Sequence, residues 1–331
     1  AMDGSLEKRL GDLYWSNADI ISESAPVLNA PRADALVAFN LTGVPARGSA
    51  GGDRYHYTGL REAFGAEYES YFTPSYASAS VRHLDLEGGR AGFMNGFHSG
   101  AEPLTETPEG VLYGSLAAAA VRYPDLIGRY YNRLSGEHGD ALSALNTVFA
   151  QDGAFVYVPR GVRVARPLLV TFAHYSEDEA LRCFARSLFV FERDSEAQLV
   201  IDDRSEGDGA ALDCQVRELF VGSGAAADRI GLGLLERAGR HRGPDGRIPA
   251  VEGDPEVFQP EVLGQPLALV GHGSRRAFED APHGQPVAEA VEPPLGGLHV
   301  ELFAGVFGAD ERRFLVLRVG EHPAGVLEFA P

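Results

Sequence analysis

The spacing of apolar residues along the chain falls into two regimes that meet near Asp152. Upstream, apolar positions recur at helical spacing between polar loops. "PRADALVAFNLTG" (Pro31 to Gly43) carries Pro at its start and Gly at its end, the asymmetry of a helix and its cap. "EGVLYGSLAAAAVRYPDLIGRYYNRL" reads as a short strand and then two helices divided near Pro124. "DALSALNTVFA" is a further helix that stops just before the change of regime. "YHYTGLREAFGAEYESYF" opens on an aromatic cluster at Tyr55 and Tyr57.

From Asp152 the runs shorten and fill with β-branched and aromatic residues. "GAFVYVP", "VARPLLVTF", "RSLFVFER", "AQLVID", "CQVRELFVG" and "AADRIGLGLL" read as strands, split by "RDSE", "DRSEGDG" and "GSG". No helical pattern lies between them, which argues for an all-β section against a doubly wound α/β sheet. Strands apolar at nearly every position are buried on both faces or coiled in short rungs. Near Leu235 this pattern ends. "ERAGRHRGPDGRIPAVEGDPEVFQPEVLGQP" fills with Pro, Gly and Arg, and strand candidates return only at "LHVELFAGVFG" and "RRFLVLRVG". The expected organisation is therefore a helical or mixed N-terminal domain over 1–148, a β core over 149–235, and a divergent or truncated C-terminal region over 236–331 that carries further strands.

Composition narrows the classes. The 331 residues are 44% hydrophobic and 23% charged, a globular balance with ample core. A formal net charge of −18 speaks against nucleic acid or an anionic membrane as partner, because phosphate binding needs clustered Lys and Arg. No apolar run reaches the ~20 residues a membrane-spanning helix needs. The first residues lack a basic start with an apolar stretch, so no signal peptide is expected. Two isolated cysteines, Cys183 and Cys214, point to a reducing compartment, and the Asn40-Leu41-Thr42 sequon reads as chance. The expectation is a soluble, acidic, cytoplasmic protein.

Reactive chemistry is sparse in the residue patterns. The ten histidines form no H-x-H, no H-E-x-x-H and no His/Cys pair at zinc spacing. "GHGS" (Gly271 to Ser274) is not G-x-S-x-G and lacks a strand–turn–helix setting. "VGSGAAADRIGLG" lacks the Lys-Ser/Thr of a phosphate loop and the G-x-G-x-x-G of a dinucleotide site. Cys183 and Cys214 sit in strand-like runs, where a thiol is a small core residue. The acidic run Ser176 to Ala180 is a solvated loop, and the aromatics of "RYYNRL" and "YHYTGL" are packing. In the stretch "FAQDGAFVYVPRGVRVARPLLVTF", only Asp152 has acid–base potential.

That stretch is the diagnostic one. "ALNTVFAQDGAFVYVPRGVRVARPLLV" (Ala144 to Val170) resembles the segment by which the SufB/SufD family enters its β-helix: an Asn-x-x-Phe-Ala-x-Asp-Gly turn, a Tyr-Val-Pro strand, then a Pro-containing strand. "SAPVLNAPRADALVAFNLTGVPARGSAGGDRYHYTGLREAF", "EGVLYGSLAAAAVRYPDLIGRYYNRL", "SLFVFERDSEAQLVIDD" and "VRELFVGSGAAADRI" extend the likeness over about residues 20–232. The resemblance implies a mainly β fold, a right-handed parallel β-helix behind an α-rich N-terminal region. It also implies a SufD-like, non-catalytic scaffold subunit of an iron–sulfur cluster assembly complex. The implied partners are a SufB-like subunit, met edge to edge, and a SufC-like ATPase. The cluster is the product of the complex, with no cofactor bound by this chain alone.

The likeness fades after residue 232. The family's late Cys-Ser-His-Gly motif has a partial echo in "LVGHGS", which makes His272 the candidate cluster-contacting residue. "DAPHGQ" (His283) echoes an earlier Ala-Pro-His element, in an order opposite to the family's. The C-terminal helices that hold the ATPase have no counterpart in the sequence. Residues 233–331 are expected to be a diverged, shortened cap or an out-of-frame translation. Two other readings compete: a carbohydrate-active β-helical enzyme using Asp202, Asp203 and Asp213 along a groove, and a degraded paralogue without function.

Overall fold

The structure is a computed structural model that describes residues 5–46, 60–70, 72–74, 81–175, 180–206, 211–223, 225–235, 295–307, 312–313 and 316–319. The chain opens on α1 (Leu6–Ser16), α2 (Ala18–Ser22), α3 (Pro26–Asn29), α4 (Arg32–Thr42) and α5 (Leu60–Gly65). Helix α4 occupies the expected Pro31–Gly43 segment. Its C-cap Gly43 adopts φ 66°, a left-handed geometry that a side chain resists, and donates its N–H to the Phe39 carbonyl.

Strands then interleave: β1 (Glu69–Ser70), β2 (Gly89–Met94), β3 (Phe97–Ser99), β4 (Leu104–Glu106) and β5 (Leu112–Ser115). Next come α6 (Leu116–Arg122), α7 (Pro124–Tyr130), α8 (Arg133–His138) and α9 (Ala141–Phe149). The predicted division at Pro124 is present: Pro is the first residue of α7, where its missing N–H costs nothing. Strands β1 to β4 were not foreseen. They are short and carry glycine and polar residues, so no run of alternating apolar positions announces them.

Beyond Asp152 lie β6 (Ala154–Val158), β7 (Leu168–Tyr175), β8 (Leu181–Phe191), β9 (Glu196–Glu206), β10 (Ala211–Gly222) and β11 (Ala226–Leu235). They match the six predicted strands. β12 (Leu295–Phe307), β13 (Arg312–Arg313) and β14 (Val316–Val319) fall on the two late candidates.

Successive strands from β6 to β11 alternate between two sheets. One sheet runs β13-β12-β10-β8-β6-β5-β4, the other β11-β9-β7-β2-β3. The register steps both sheets together: Leu181 pairs with Ala211 on one, Glu196 with Ala226 on the other, an offset of 30 residues in each. Pairing is parallel for β1, β6, β8 and β10 and for β2, β7, β9 and β11. Both sheets are nonetheless mixed. β4, β5 and β6 pair antiparallel, as do β2 with β3 and β12 with β10, β13 and β14. The architecture is mainly β with an α-rich N-terminal region.

Two apolar clusters explain why the strands look apolar throughout. Phe93, Val156, Val170, Phe172, Phe189 and Ile201 fill the space between the sheets. Phe155, Phe184, Leu188, Val190, Leu212 and Val216, on the opposite faces of the same strands, pack against the helices. Alternate side chains of β8 therefore enter two different cores, and every one of its residues is buried.

Candidate functional site

The motif Asn146 to Gly153 joins the helices to the strands, and each of its key residues makes a distinct contact. α9 is capped at its N-terminus by Asp140, whose Oδ1 accepts from the Leu142 and Ser143 N–H groups. At its other end the buried Arg32 donates to the carbonyls of Thr147, Val148 and Ala150. These are carbonyls that a helix end leaves without intrahelical partners. From the middle of α9, Asn146 Nδ2 donates to Ala185 O and Cys214 O, both at 2.8 Å, and so ties the helix to β8 and β10 at once. Phe149 stacks on Phe184 with ring centroids 4.7 Å apart.

Asp152 is buried. Its Oδ1 accepts from Ser115 Oγ (2.8 Å) and the Ala117 N–H (3.0 Å), and its Oδ2 from the His98 N–H (2.9 Å). Burial pushes its carboxyl pKa up, against the pull of these donors. The neighbouring Gly153 has φ 148°, and a Cβ there would sit 2.0 Å from the Arg186 carbonyl oxygen. Only glycine allows β8 this close. The one residue of the Phe149 to Phe172 stretch with acid–base potential is thus a structural clamp.

Between the sheets the apolar filling gives way to polar groups at the rung of β8 and β10. Cys183 and Asp213 are register partners, and His174 on β7 faces them from the opposite sheet. His174 Nε2 lies 3.0 Å from Asp213 Oδ2, with both side chains at most 1% exposed. Burial pulls the imidazole pKa down, but the Asp213 charge and hydrogen bonds with Asp213 and Cys183 overcome it and hold it well above 6.5. Burial also raises the Cys183 thiol, with His174 opposing. Such a thiol is not a poised nucleophile. Gln215 Nε2 donates to Asp213 and to Asp203 Oδ1. Arg217 Nη2 reaches both oxygens of Asp203 at 2.7 and 2.8 Å and lies over the Phe172 ring. No group of three or more metal-ligating side chains is arranged to hold an ion among the described residues.

On the helical side of the same strands, Arg186 and Glu218 form a second buried ion pair. Arg186 also donates to Asn146 Oδ1, Thr147 Oγ1, Asn132 Oδ1 and Ser135 Oγ.

The three carboxylates of the carbohydrate reading do not share a face. Asp202 and Asp203 are consecutive on β9 and so point to opposite sides of the sheet. Asp202 is buried and pairs with Arg204 Nε at 2.6 Å, whereas Asp203 and Asp213 are committed to Arg217, Gln215 and His174. His272 and His283 lie outside the described residues. Cys183 and Cys214 are free, buried core thiols, as expected from their strands. Apart from Asp213, sequence reading missed the polar and charged residues inside β8 and β10. The signal was there, since Arg182, Arg186, Gln215, Arg217 and Glu218 interrupt otherwise apolar runs.

Comparison with known proteins places these contacts. The family profile described as the SufBD protein N-terminal region matches residues 4–170, half of the chain, and contains the whole Asn146 to Gly153 clamp. An iron–sulfur cluster assembly SufBD family protein of Arabidopsis thaliana is 34% identical over 130 residues, 38% of this chain and 26% of its own. The iron–sulfur cluster assembly protein SufD of Bacillus subtilis (strain 168) is 30% identical over 151 residues, 42% of this chain and 34% of its own. A chloroplastic SufBD family protein of A. thaliana is 31% identical over 117 residues, covering 35% and 21%. The chain therefore spans about a third or less of the length of these curated relatives. With the profile covering half its length, the chain belongs to the SufB/SufD family of iron–sulfur cluster assembly proteins.

Proposed function

We propose that the chain is a SufD-like, non-catalytic scaffold subunit of an iron–sulfur cluster assembly complex. In this reading it pairs with a SufB-like subunit through sheet edges and engages a SufC-like ATPase. The cluster forms on the complex and is not held by this chain alone. The rungs wind as a right-handed parallel β-helix, the hand that parallel crossovers adopt almost without exception. In this reading residues 1–148 are a helical and mixed N-terminal domain, 149–235 the β-helix core, and 236–331 a divergent region with further strands.

The observation that carries the proposal is the shared 30-residue offset of the β8–β10 and β9–β11 pairs, with β11 at the end of its sheet among the described residues. A stack of rungs is a rigid support that recruits a partner strand along its edge without induced folding. The buried groups support the non-catalytic part. His174, Asp203, Asp213 and Arg217 are committed to each other between the sheets, and Asp152 to backbone donors. Two free, buried cysteines suit a reducing, cytoplasmic setting, and the charge of −18 suits a protein partner over nucleic acid.

The test is co-expression with a SufB-like and a SufC-like protein, with iron and acid-labile sulfide measured in the purified complex. The reading expects both to rise when this chain is present. Equal iron and sulfide with and without the chain would contradict it.

A further inference from the structure

At the seam between α1, α5 and the first residues of β1 and β8 lies an open cavity of about 480 Å³. One wall is the face of α1 formed by Leu6, Leu10 and Leu13, closed by Phe64. Two arginines line the same space, Arg9 from α1 and Arg182 from β8. Glu67 and Glu69 line the same space, yet neither arginine forms an ion pair with them.

Arg182 is 7% exposed, and its Nε has no hydrogen-bond partner. Its Nη2 reaches only the carbonyls of Phe64 and Ala66, both at 3.5 Å, and the guanidinium lies 5.0 Å over the Tyr68 ring. Arg9 Nη2 donates to the Gly65 carbonyl at 2.9 Å. Neither arginine has a salt bridge to a carboxylate among the described residues. Burial lowers the Arg182 pKa, and Arg9 adds to this against the opposing pull of Tyr68, so the two cations sense each other. A buried guanidinium with a free donor beside a second cation is costly, and an anion between them removes both penalties.

We propose that this cavity is a binding site for a small amphipathic monocarboxylate. Its carboxylate would be held by Arg182 and Arg9, and its apolar body would lie along Leu6, Leu10, Leu13 and Phe64. The planar fork of a guanidinium matches a carboxylate in two-point contact. Glu67 and Glu69 line the same cavity and disfavour more highly charged ligands such as a phosphate dianion. The volume falls within the range of small-molecule sites.

The test uses the full chain and isothermal titration calorimetry with three probes: octanoate, octyl phosphate and octan-1-ol. Octanoate is expected to bind one to one, more weakly as salt rises, and better than the other two. Arg9→Gln, which alters a helix surface, is expected to weaken octanoate about tenfold, the loss of one charge-assisted contact. Arg182→Met is expected to abolish binding; should that variant not fold, Arg9→Gln alone decides. Octan-1-ol binding as tightly as octanoate, octanoate binding unchanged in Arg9→Gln, preferred binding of octyl phosphate, or no octanoate binding at millimolar concentration would each overturn the assignment.

Discussion

Glu218 on β10 caps a helix from across the fold: its carboxylate accepts from the N–H groups of Asn132, Leu134 and Ser135 at the start of α8, while Arg186 Nη2 lies 3.1 Å from its Oε2. The carboxylate therefore answers both the N–H groups that the helix start leaves without intrahelical partners and a buried cation. Helices and strands are joined by charge as well as by apolar contact.

Replacing Glu218 by Ala leaves the Arg186 charge buried and three N–H groups without an acceptor. The expected loss is about 3–5 kcal/mol, the range for breaking a buried ion pair. Glu218→Gln keeps the shape and loses less. Urea unfolding followed by circular dichroism checks both; a loss below about 1 kcal/mol for the alanine variant would show that the pair does not bind the layers together.

Asp152→Asn turns one carboxylate oxygen into a donor that faces the donors of His98 or of Ser115 and Ala117. An unfolding free energy lower by about 2–3 kcal/mol is expected, as for a buried donor left unmatched. Ser115→Ala, which leaves the two backbone donors satisfied, should cost about 1 kcal/mol by the same measurement. Equal stability of Asp152→Asn and the wild type would remove the clamp.

Two glycines with positive φ should respond differently to alanine. At Gly153 the added Cβ meets the Arg186 backbone at 2.0 Å, so Gly153→Ala is expected to prevent folding or to cost more than about 3 kcal/mol. At Gly161 nothing lies within 4 Å, so Gly161→Ala should cost only the backbone strain of φ +73°, about 1–2 kcal/mol. Soluble yield and thermal unfolding of the two variants distinguish close approach from simple turn strain.

The His174–Asp213 pair predicts a pH dependence with a definite sign. The folded-state pKa of His174 is raised above its ordinary 6.5, so its contribution to stability is complete below about pH 6.5. It is lost as the pH climbs through the raised folded value. The groups facing it are Asp213 and Cys183, with Asp203 and Arg217 further along the rung. Urea midpoints between pH 6.5 and 9 should fall with rising pH in the wild type and flatten in His174→Phe. The window stops at 9 because the Cys183 thiol titrates above its ordinary 9.0. A rising midpoint in the wild type, or an unchanged slope in the variant, would contradict the pairing.

Much of the fold was legible because period-two burial writes itself into residue choice. β6 to β11 needed long β-branched runs to fill two cores, and helices α4, α7 and α9 carry Pro, Gly or Asp at their ends. The Asn146 to Gly153 motif was legible as a resemblance, yet its physics was not. What Asn146 and Asp152 do depends on strands 39 and 68 residues downstream and on a short strand 54 residues upstream, distances that no local pattern encodes. The polar rung was hidden for a related reason. Asp213 looks like a loop-edge acid until the other sheet brings His174 against it. The cavity beside Arg182 joins segments more than 100 residues apart, so its two cations meet only in the folded chain.

The central claim is that this chain is one subunit of an assembly platform, and the most direct measurement is a pull-down. The full chain, carrying an affinity tag, is co-expressed with a SufB-like and a SufC-like protein, and the eluate is analysed by size-exclusion chromatography with light scattering. The account predicts a stable species containing this chain and the SufB-like subunit, with the ATPase retained through one or both. Elution of the chain alone, while the other two proteins still assemble with each other, would contradict it.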